Sequence, residues 1–387
     1  MTHIGVDLEQ FITDPYGSGI QRVLQQLALR WPSELASADF VVPVDGEFAL
    51  LTPEQAATLL SLPFDVRRGH SDLLGDIRSR FASFEAPRVK SGDLLAIFDV
   101  WLIPEVSYLA GVHARAREVA RAMPISMIGY DVLPMSDPAN YRFRPGGAGQ
   151  VSDYFRLLVD ADSLTCISRE ARDEILGRLR RDRIKPIGVA HPGGDHLPAR
   201  ASDGKNHQTR SATRFLRLGT LEARKHPREI LAAFCEAVDR HDVDATLTFV
   251  GGPSASDPSI NAAVNAAIEL GYPVSWISGA ADAQVHELVA EADVSLAIGR
   301  EGFGIPVLES IRLATPVLFA GVQPAAELMV GRGAERIAGL DHASLVEALT
   351  HFAEVRALDD LRRATDPSGV PTWAAFARGV VAGAMEA

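Results

Sequence analysis

The chain has 387 residues, 47% hydrophobic and 23% charged, and a formal net charge of −12 at pH 7. At roughly 150 residues per domain this length suits two to three domains with ordinary globular cores. The acidic balance excludes the basic footprint of sequence-independent nucleic-acid binding, and two distant cysteines, Cys166 and Cys235, exclude a four-cysteine zinc site and a disulfide framework.

The first predicted strand is His3 to Asp7. A loop with Gly17 and Gly19 follows, then a helix whose Ile20, Val23, Leu24, Leu27 and Trp31 repeat at helical spacing. Residues 36–90 give no clear pattern. The apolar run 93–100 predicts a buried strand, 108–122 a helix, and 124–134 a strand with its exit loop. Residues 149–161 predict a helix and 163–168 a strand, with Ser168 capping the helix that begins Arg169-Glu170. Residues 187–195 read as a strand ending in glycines. Residues 198–213 are polar and basic, the composition of a linker or mobile loop. Strands are then predicted at 214–220, 245–252, 273–279, 293–299 and 316–321. Helices at 226–238, 258–270, 282–291 and 306–314 alternate with them. Alternation of this kind predicts parallel sheets with helical crossovers. Two such runs predict two doubly wound α/β domains facing a cleft: residues 1–197, rejoined by a C-terminal helix at about 372–387, and residues 214–371. Trp373 in that helix is expected to be a packing anchor, and both cysteines are expected to be small core residues.

Three segments suggest chemistry. In the first, Arg300 to Glu309, a strand runs into a loop with Gly302 and Gly304, and Pro306 is placed to open a helix. The glycines let backbone approach a ligand, and the helix N-terminus suits an anion. Glu301 and Glu309 are expected to accept hydrogen bonds from hydroxyls. The spacing alone serves a turn with a capping glutamate equally well. In the second, Gly219 to Lys225, a strand delivers Arg224 and Lys225 to the carboxyl edge of a sheet, where ligands of open α/β sheets bind. Both cations are expected to face solvent and could neutralise a diphosphate; an adjacent Arg-Lys pair also occurs as a plain solvated pair. The third, Gly17-Ser18-Gly19-Ile20-Gln21-Arg22, is neither a dinucleotide fingerprint nor a Walker loop, and serves a phosphate approach or a plain turn.

Together these segments resemble glycosyltransferase family 4, the retaining nucleotide-sugar transferases of GT-B fold, in its mannosyltransferase-like bacterial members. Five stretches match in order: 17–23, Tyr130-Asp131-Val132-Leu133-Pro134, 165–172, 219–226, and the two glutamates Glu301 and Glu309. The resemblance covers residues 1–30 and 124–320. It implies a hexosyltransferase that moves a hexose, mannose favoured, from a nucleotide-diphosphate sugar to a hydroxyl of a saccharide or lipid-linked saccharide. GDP-mannose is the favoured donor and a UDP-sugar the next, with surface polysaccharide as a setting. No metal or cofactor is implied. The implied catalytic residues are Arg224, Lys225, Glu301, Asp131 and Tyr130. The implied donor-binding residues are Gly19, Gly219, Thr220, Gly302, Phe303, Gly304, Ile305 and Glu309, with Glu309 on the ribose. Two positions depart from the family's pattern: Tyr130 stands for its histidine, and Thr220 for the arginine many members carry after the glycine. His191 and His196 are candidate substitutes for that arginine or plain solvated loop residues. The runner-up readings are a non-catalytic nucleotide-sugar-binding partner subunit and a UDP-sugar 2-epimerase.

The N-terminus has no leader pattern and no run of 18 apolar residues occurs, so a cytoplasmic protein is expected. Arg178, Arg180, Arg181, Arg183 and Lys185 form a local basic cluster. It suits a solvated helix end or peripheral contact with the inner membrane face beside a lipid-linked acceptor.

Overall fold

The structure is a computed structural model that describes residues 1–15, 18–61, 70–138, 147–180, 185–199 and 212–387. The chain forms two compact units. One holds Met1–Pro138, Phe143–Gly193 and Thr372–Ala387, and the other is built on Gly194–Pro371.

The first unit carries an eight-stranded sheet. Its strands are β1 (His3–Asp7), β2 (Ser37–Val44), β3 (Glu47–Leu51), β4 (Arg88–Val89), β5 (Val100–Ile103), β6 (Ile125–Gly129), β7 (Ser163–Cys166) and β8 (Ile187–Val189). Their order is β4-β3-β2-β1-β5-β6-β7-β8. From β2 through β8 the pairings are parallel. The expectation of a wholly parallel sheet is corrected at one edge, where β3 pairs antiparallel with β2 and β4 with β3. The cause is the Asp45-Gly46 turn, with φ of 49° and 81°, which closes a two-residue hairpin. The strand expected at 93–100 is also corrected. Ser91–Leu94 is a short helix and the strand begins at Val100, since a short apolar run alone does not separate strand from helix.

Helix starts follow their side chains. Ser18 accepts from Gln21 N at 3.4 Å to open Gly19–Leu29, and Ser168 accepts from Ala171 N at 3.0 Å to open Arg169–Arg178, as its sequence predicts. Thr372 caps Trp373–Met385, in which Trp373 is fully buried and meets Phe376 edge-on at 5.6 Å. Cys166 is a buried free thiol, and Cys235 is a partly buried one whose pKa burial raises.

The second unit carries six strands, all parallel: β9 (Thr213–Leu218), β10 (Ala245–Val250), β11 (Val274–Ile277), β12 (Val294–Arg300), β13 (Val317–Val322) and β14 (Ala334–Arg336). Their order is β11-β10-β9-β12-β13-β14. Alternation along β9 sends Phe215 to one face, with Phe249, Leu247 and Phe234, and Leu216 and Leu218 to the other, with Val250 and Val289. With both faces covered, these strands read as near-continuous apolar runs. The chain enters at β9 and winds outward first through β10 and β11, then back through β12 to β14. The order therefore reverses between β9 and β12. In doubly wound sheets the crevice at the carboxyl ends of such a pair is where ligands bind.

Candidate functional site

At the carboxyl end of β9 the chain turns through Gly219 into a 3-10 turn, Ala223–Lys225. At the carboxyl end of β12 it passes Arg300 and Glu301 toward the helix Ile305–Arg312. These exits meet. Arg224 Nη1 donates to Glu301 Oε2 at 2.8 Å and to the Arg300 carbonyl, and Lys225 Nζ donates to Glu301 Oε1 at 2.9 Å. Arg224 Nη2 also pairs with Glu222 Oε2 at 2.6 Å. The turn seats this closely because Gly299 has φ of 102° and no side chain. A Cβ there would collide with the Arg224 carbonyl oxygen and come within 2.9 Å of Lys225 Cα. The Lys225 ammonium in turn lies 2.8 Å from where a Gly219 Cβ would be.

The expectation that Arg224 and Lys225 face solvent is corrected. Each side chain is 13% exposed, and Glu301 is 23% exposed. Two cations left bare in this crevice would repel each other, so the Glu301 carboxylate draws both inward. Burial pushes the Glu301 carboxyl up, but Lys225 and Arg224 more than offset this and hold it at about 2. Burial pushes Lys225 down, and Glu301 opposes that shift. Glu301, expected to accept from ligand hydroxyls, thus has both oxygens engaged by cations.

A third cation lies behind them. Arg217, inside β9, is 6% exposed. Its Nη1 donates to the Leu218 carbonyl and its Nη2 to the Lys225 carbonyl at 3.5 Å. Burial pushes it down to about 10, opposed by Glu301. Arg217 is a functional residue outside the expected set; its signal is an arginine inside an apolar strand run. Arg217, Glu301, Gly304, Pro306, Val307 and Gln323 line a pocket beside the turn. The helix starts at Ile305, one residue before the expected proline, and no side chain caps its N-terminus. Gly302, Phe303, Gly304 and Ile305 therefore lead directly from the cation cluster to a helix end with positive partial charge. Thr220 belongs to the β9 exit, where its carbonyl accepts from Glu222 N at 2.7 Å.

Glu309, one turn into that helix, is 9% exposed and hydrogen-bonds His196 Nε2 at 3.0 Å through Oε1. His196 is thus buried on a carboxylate, and His191 holds the Ile167 carbonyl at 3.2 Å; neither is a solvated loop residue.

Tyr130, Asp131 and Gly19 lie in the first unit. Tyr130, expected to reach a ligand hydroxyl, is 3% exposed and donates its proton to the Pro104 carbonyl at 2.7 Å. Burial holds its pKa far above the ordinary tyrosine value. Asp131 Oδ1 accepts from Leu133 N at 3.0 Å, which fixes the turn after β6. Gly19 opens its helix at an exposed position. In this unit the strand order reverses between β1 and β5. Their exits carry Asp7, held by Arg115 Nε at 2.9 Å, and Glu105, 2% exposed. Burial raises Glu105 to about 8, Gln21 opposes this by hydrogen bonding, and Asp7 adds to it. Glu105 also escaped the sequence reading, because a single carboxylate after a strand carries no pattern.

Lys185 Nζ donates to the Asp160 carbonyl at 2.7 Å, where it closes the helix Gly147–Asp160. Arg178 pairs with Glu174 at 4.0 Å and Arg180 has φ of 52°. Arg181 and Arg183 lie outside the described residues, as do Gly17 and most of the expected linker. Among the described residues no group of His, Cys, Asp and Glu is placed to hold a metal ion, and no helix is long and apolar enough to cross a membrane.

Two doubly wound α/β units, with a cation cluster at the switch point of the second, define the class: the fold is that of the GT-B glycosyltransferases. Residues 212–354 match the family model described as glycosyl transferases group 1. The chain is 25% identical over 181 residues to the serotype-specific mannosyltransferase WbdA of Escherichia coli. That alignment takes in 43% of this chain and 22% of WbdA, so it spans about a fifth of the curated relative's length. Among solved structures, Anabaena HepE in complex with UDP and glucose superposes with a TM-score of 0.61 at 13% identity, over 99% of this chain and 95% of that one. WaaG, a glycosyltransferase involved in lipopolysaccharide biosynthesis, does so with a TM-score of 0.55 at 16% identity, over 97% and 94%.

Proposed function

We propose that the protein is a retaining glycosyltransferase of family 4 type that moves a hexose from a nucleotide-diphosphate sugar to a hydroxyl of a saccharide acceptor. The carrying observation is the meeting of Arg224 and Lys225 on Glu301 at the switch point of the second unit, beside the uncapped helix at Gly304. A diphosphate has the charge to take over those cations from Glu301. As the glycosidic bond breaks, negative charge grows on the departing diphosphate, and fixed cations there stabilise the transition state more than the ground state. Arg217 adds charge from behind. In this reading Arg224 and Lys225 do the work a metal would do. Glu301, released by the incoming phosphates, turns to hydroxyls of the donor sugar with the Phe303–Gly304 backbone, and Glu309 takes the ribose. Gly219, Thr220 and Ile305 shape the pocket.

A mannosyl donor such as GDP-mannose is supported by the similarity to a mannosyltransferase, and a UDP-hexose by the UDP held in HepE. A saccharide acceptor of surface-polysaccharide type is supported by the likeness in fold to WaaG, which is involved in lipopolysaccharide biosynthesis. The test offers GDP-mannose and a panel of UDP-hexoses, each with and without saccharide acceptors, in the presence of a chelator. Expected are nucleotide diphosphate release, slow hydrolysis without acceptor, and a product with the donor's anomeric configuration by NMR. A free epimerised sugar would establish the epimerase reading, and binding without release the non-catalytic one.

A further inference from the structure

The Gly194–Leu197 segment packs along one edge of the helix Ile305–Arg312. Gly194 N donates to the Pro371 carbonyl at 3.0 Å, and a Cβ on Gly194 would come within 2.7 Å of Leu308 Cβ. Three residues on, the Leu197 carbonyl accepts from Arg312 Nε at 3.1 Å, and Arg312 Nη1 holds the Pro367 carbonyl at 3.1 Å. Leu197 itself is 5% exposed in the core. Between these anchors His196 Nε2 meets Glu309 Oε1 at 3.0 Å, with both side chains nearly closed to solvent. Arg312 lies four residues after Leu308 and three after Glu309, so each of them neighbours it on the helix side that faces this segment. Backbone anchors on either side of His196 therefore place its Cα beside Glu309 independently of the pair it makes. The tautomer with its proton on Nε2 donates to that oxygen. A carboxylate with one oxygen held by a fixed donor keeps a fixed plane.

We propose that His196 is a positioning residue that fixes the Glu309 carboxylate for the ribose hydroxyls of the donor nucleotide. The proposal rests on the reading of Glu309 as the ribose acceptor. His196 touches no reacting atom; it acts through Glu309. Its signature is discrimination between ribose and a sugar without those hydroxyls, which a residue that merely holds the loop does not alter.

The test measures binding of UDP and GDP, and of their 2′,3′-dideoxy forms, to the full-length protein by calorimetry, with circular dichroism to show that each variant folds. The wild type is expected to favour the ribose form by about tenfold to a hundredfold, the range for hydrogen bonds to a charged acceptor. Glu309→Ala should abolish that preference. His196→Ala should reduce it to about threefold or less, with dideoxynucleotide affinity within about twofold of wild type. His196→Gln, whose amide can donate to the same oxygen, should recover most of it. If Glu309→Ala keeps the preference, the ribose reading fails. If Glu309→Ala loses it and His196→Ala keeps it, that reading stands and the positioning role is overturned. Equal loss of affinity for both nucleotide forms in His196→Ala, or a folded His196→Gln that recovers nothing, also overturns it. Binding of neither UDP nor GDP by the wild type removes the donor site and the proposal with it.

Discussion

Lys225→Met separates the structural from the chemical role of the cation cluster. Methionine keeps the apolar stem of lysine and removes the charge. In the folded protein the Glu301 carboxyl sits at about 2 against an ordinary value of 4.5. That gap corresponds to on the order of 3 kcal/mol favouring the ionised, paired carboxylate at neutral pH. Arg224 and Lys225 share it, and removing Lys225 also relieves the cost of burying its ammonium. The expected net loss is about 1–2 kcal/mol at pH 7. Because the folded pKa lies below the unfolded one, the stabilisation is complete above the unfolded value and is lost as pH falls through about 2. The variant and wild type should therefore converge as pH falls from 5 towards 2. Amide protection of β9 and β12 in urea, at pH 7, 5, 4 and 3, reports the stability of this unit. In a Glu301→Gln background Lys225→Met should cost nothing, since no carboxylate is left unpaired. The same loss in both backgrounds, or one constant from pH 7 to 3, would refute the ion-pair argument. In transfer assays the folded variant should lose about 10²–10³ in turnover, comparable to losing one oxyanion-hole donor.

Gly299→Ala should disable the same site without touching a charge. The left-handed backbone costs about 1–3 kcal/mol for a non-glycine residue, and the new methyl displaces the 223–225 turn, so donor binding should fail in the protein that still folds. Unchanged donor affinity by calorimetry would show that the turn does not depend on this approach. Glu105→Gln should flatten a pH dependence in the first unit. The folded pKa of about 8 lies above the ordinary 4.5, so its stabilising effect is full below 4.5 and lost as pH rises through 8. The wild type should lose up to about 5 kcal/mol between those limits, and the glutamine variant should not. Thermal midpoints at pH 5 and pH 9 test this, and parallel shifts in both proteins would exclude it. Ser168→Ala removes a cap that accepts from Ala171 N at 3.0 Å and should cost about 1 kcal/mol in thermal unfolding. No change would mean that the cap is dispensable.

Much of the second unit was legible as sequence. Its strands are covered on both faces, so Val, Leu, Ile and Phe cluster in short runs between amphipathic helices, and the alternation reads directly. The helix predicted at 282–291 is found as Asp282–Glu291. The first unit was less legible between residues 36 and 90. There the Asp45-Gly46 turn is a hairpin signal, but it sits in a stretch of mixed pattern whose flanking strands do not alternate clearly. The apolar run at 93–100 misled, because its residues serve a short helix and a turn before the true strand at Val100.

The candidate site divides in the same way. Sequence order determined that Arg224, Lys225 and Glu301 leave the carboxyl ends of strands, since that follows from where each strand stops. Only the tertiary structure decided that β9 and β12 are neighbours, and so that these three side chains meet. It also decided that the cations are buried on a carboxylate rather than exposed, that Arg217 joins them from inside the sheet, and that His196 reaches Glu309 across 113 positions of chain. The physical reason is range. Periodicity and capping act over a few residues and leave their mark in local sequence. Charge pairing and desolvation depend on distances between segments far apart in the chain, and those distances exist only once the sheet has assembled.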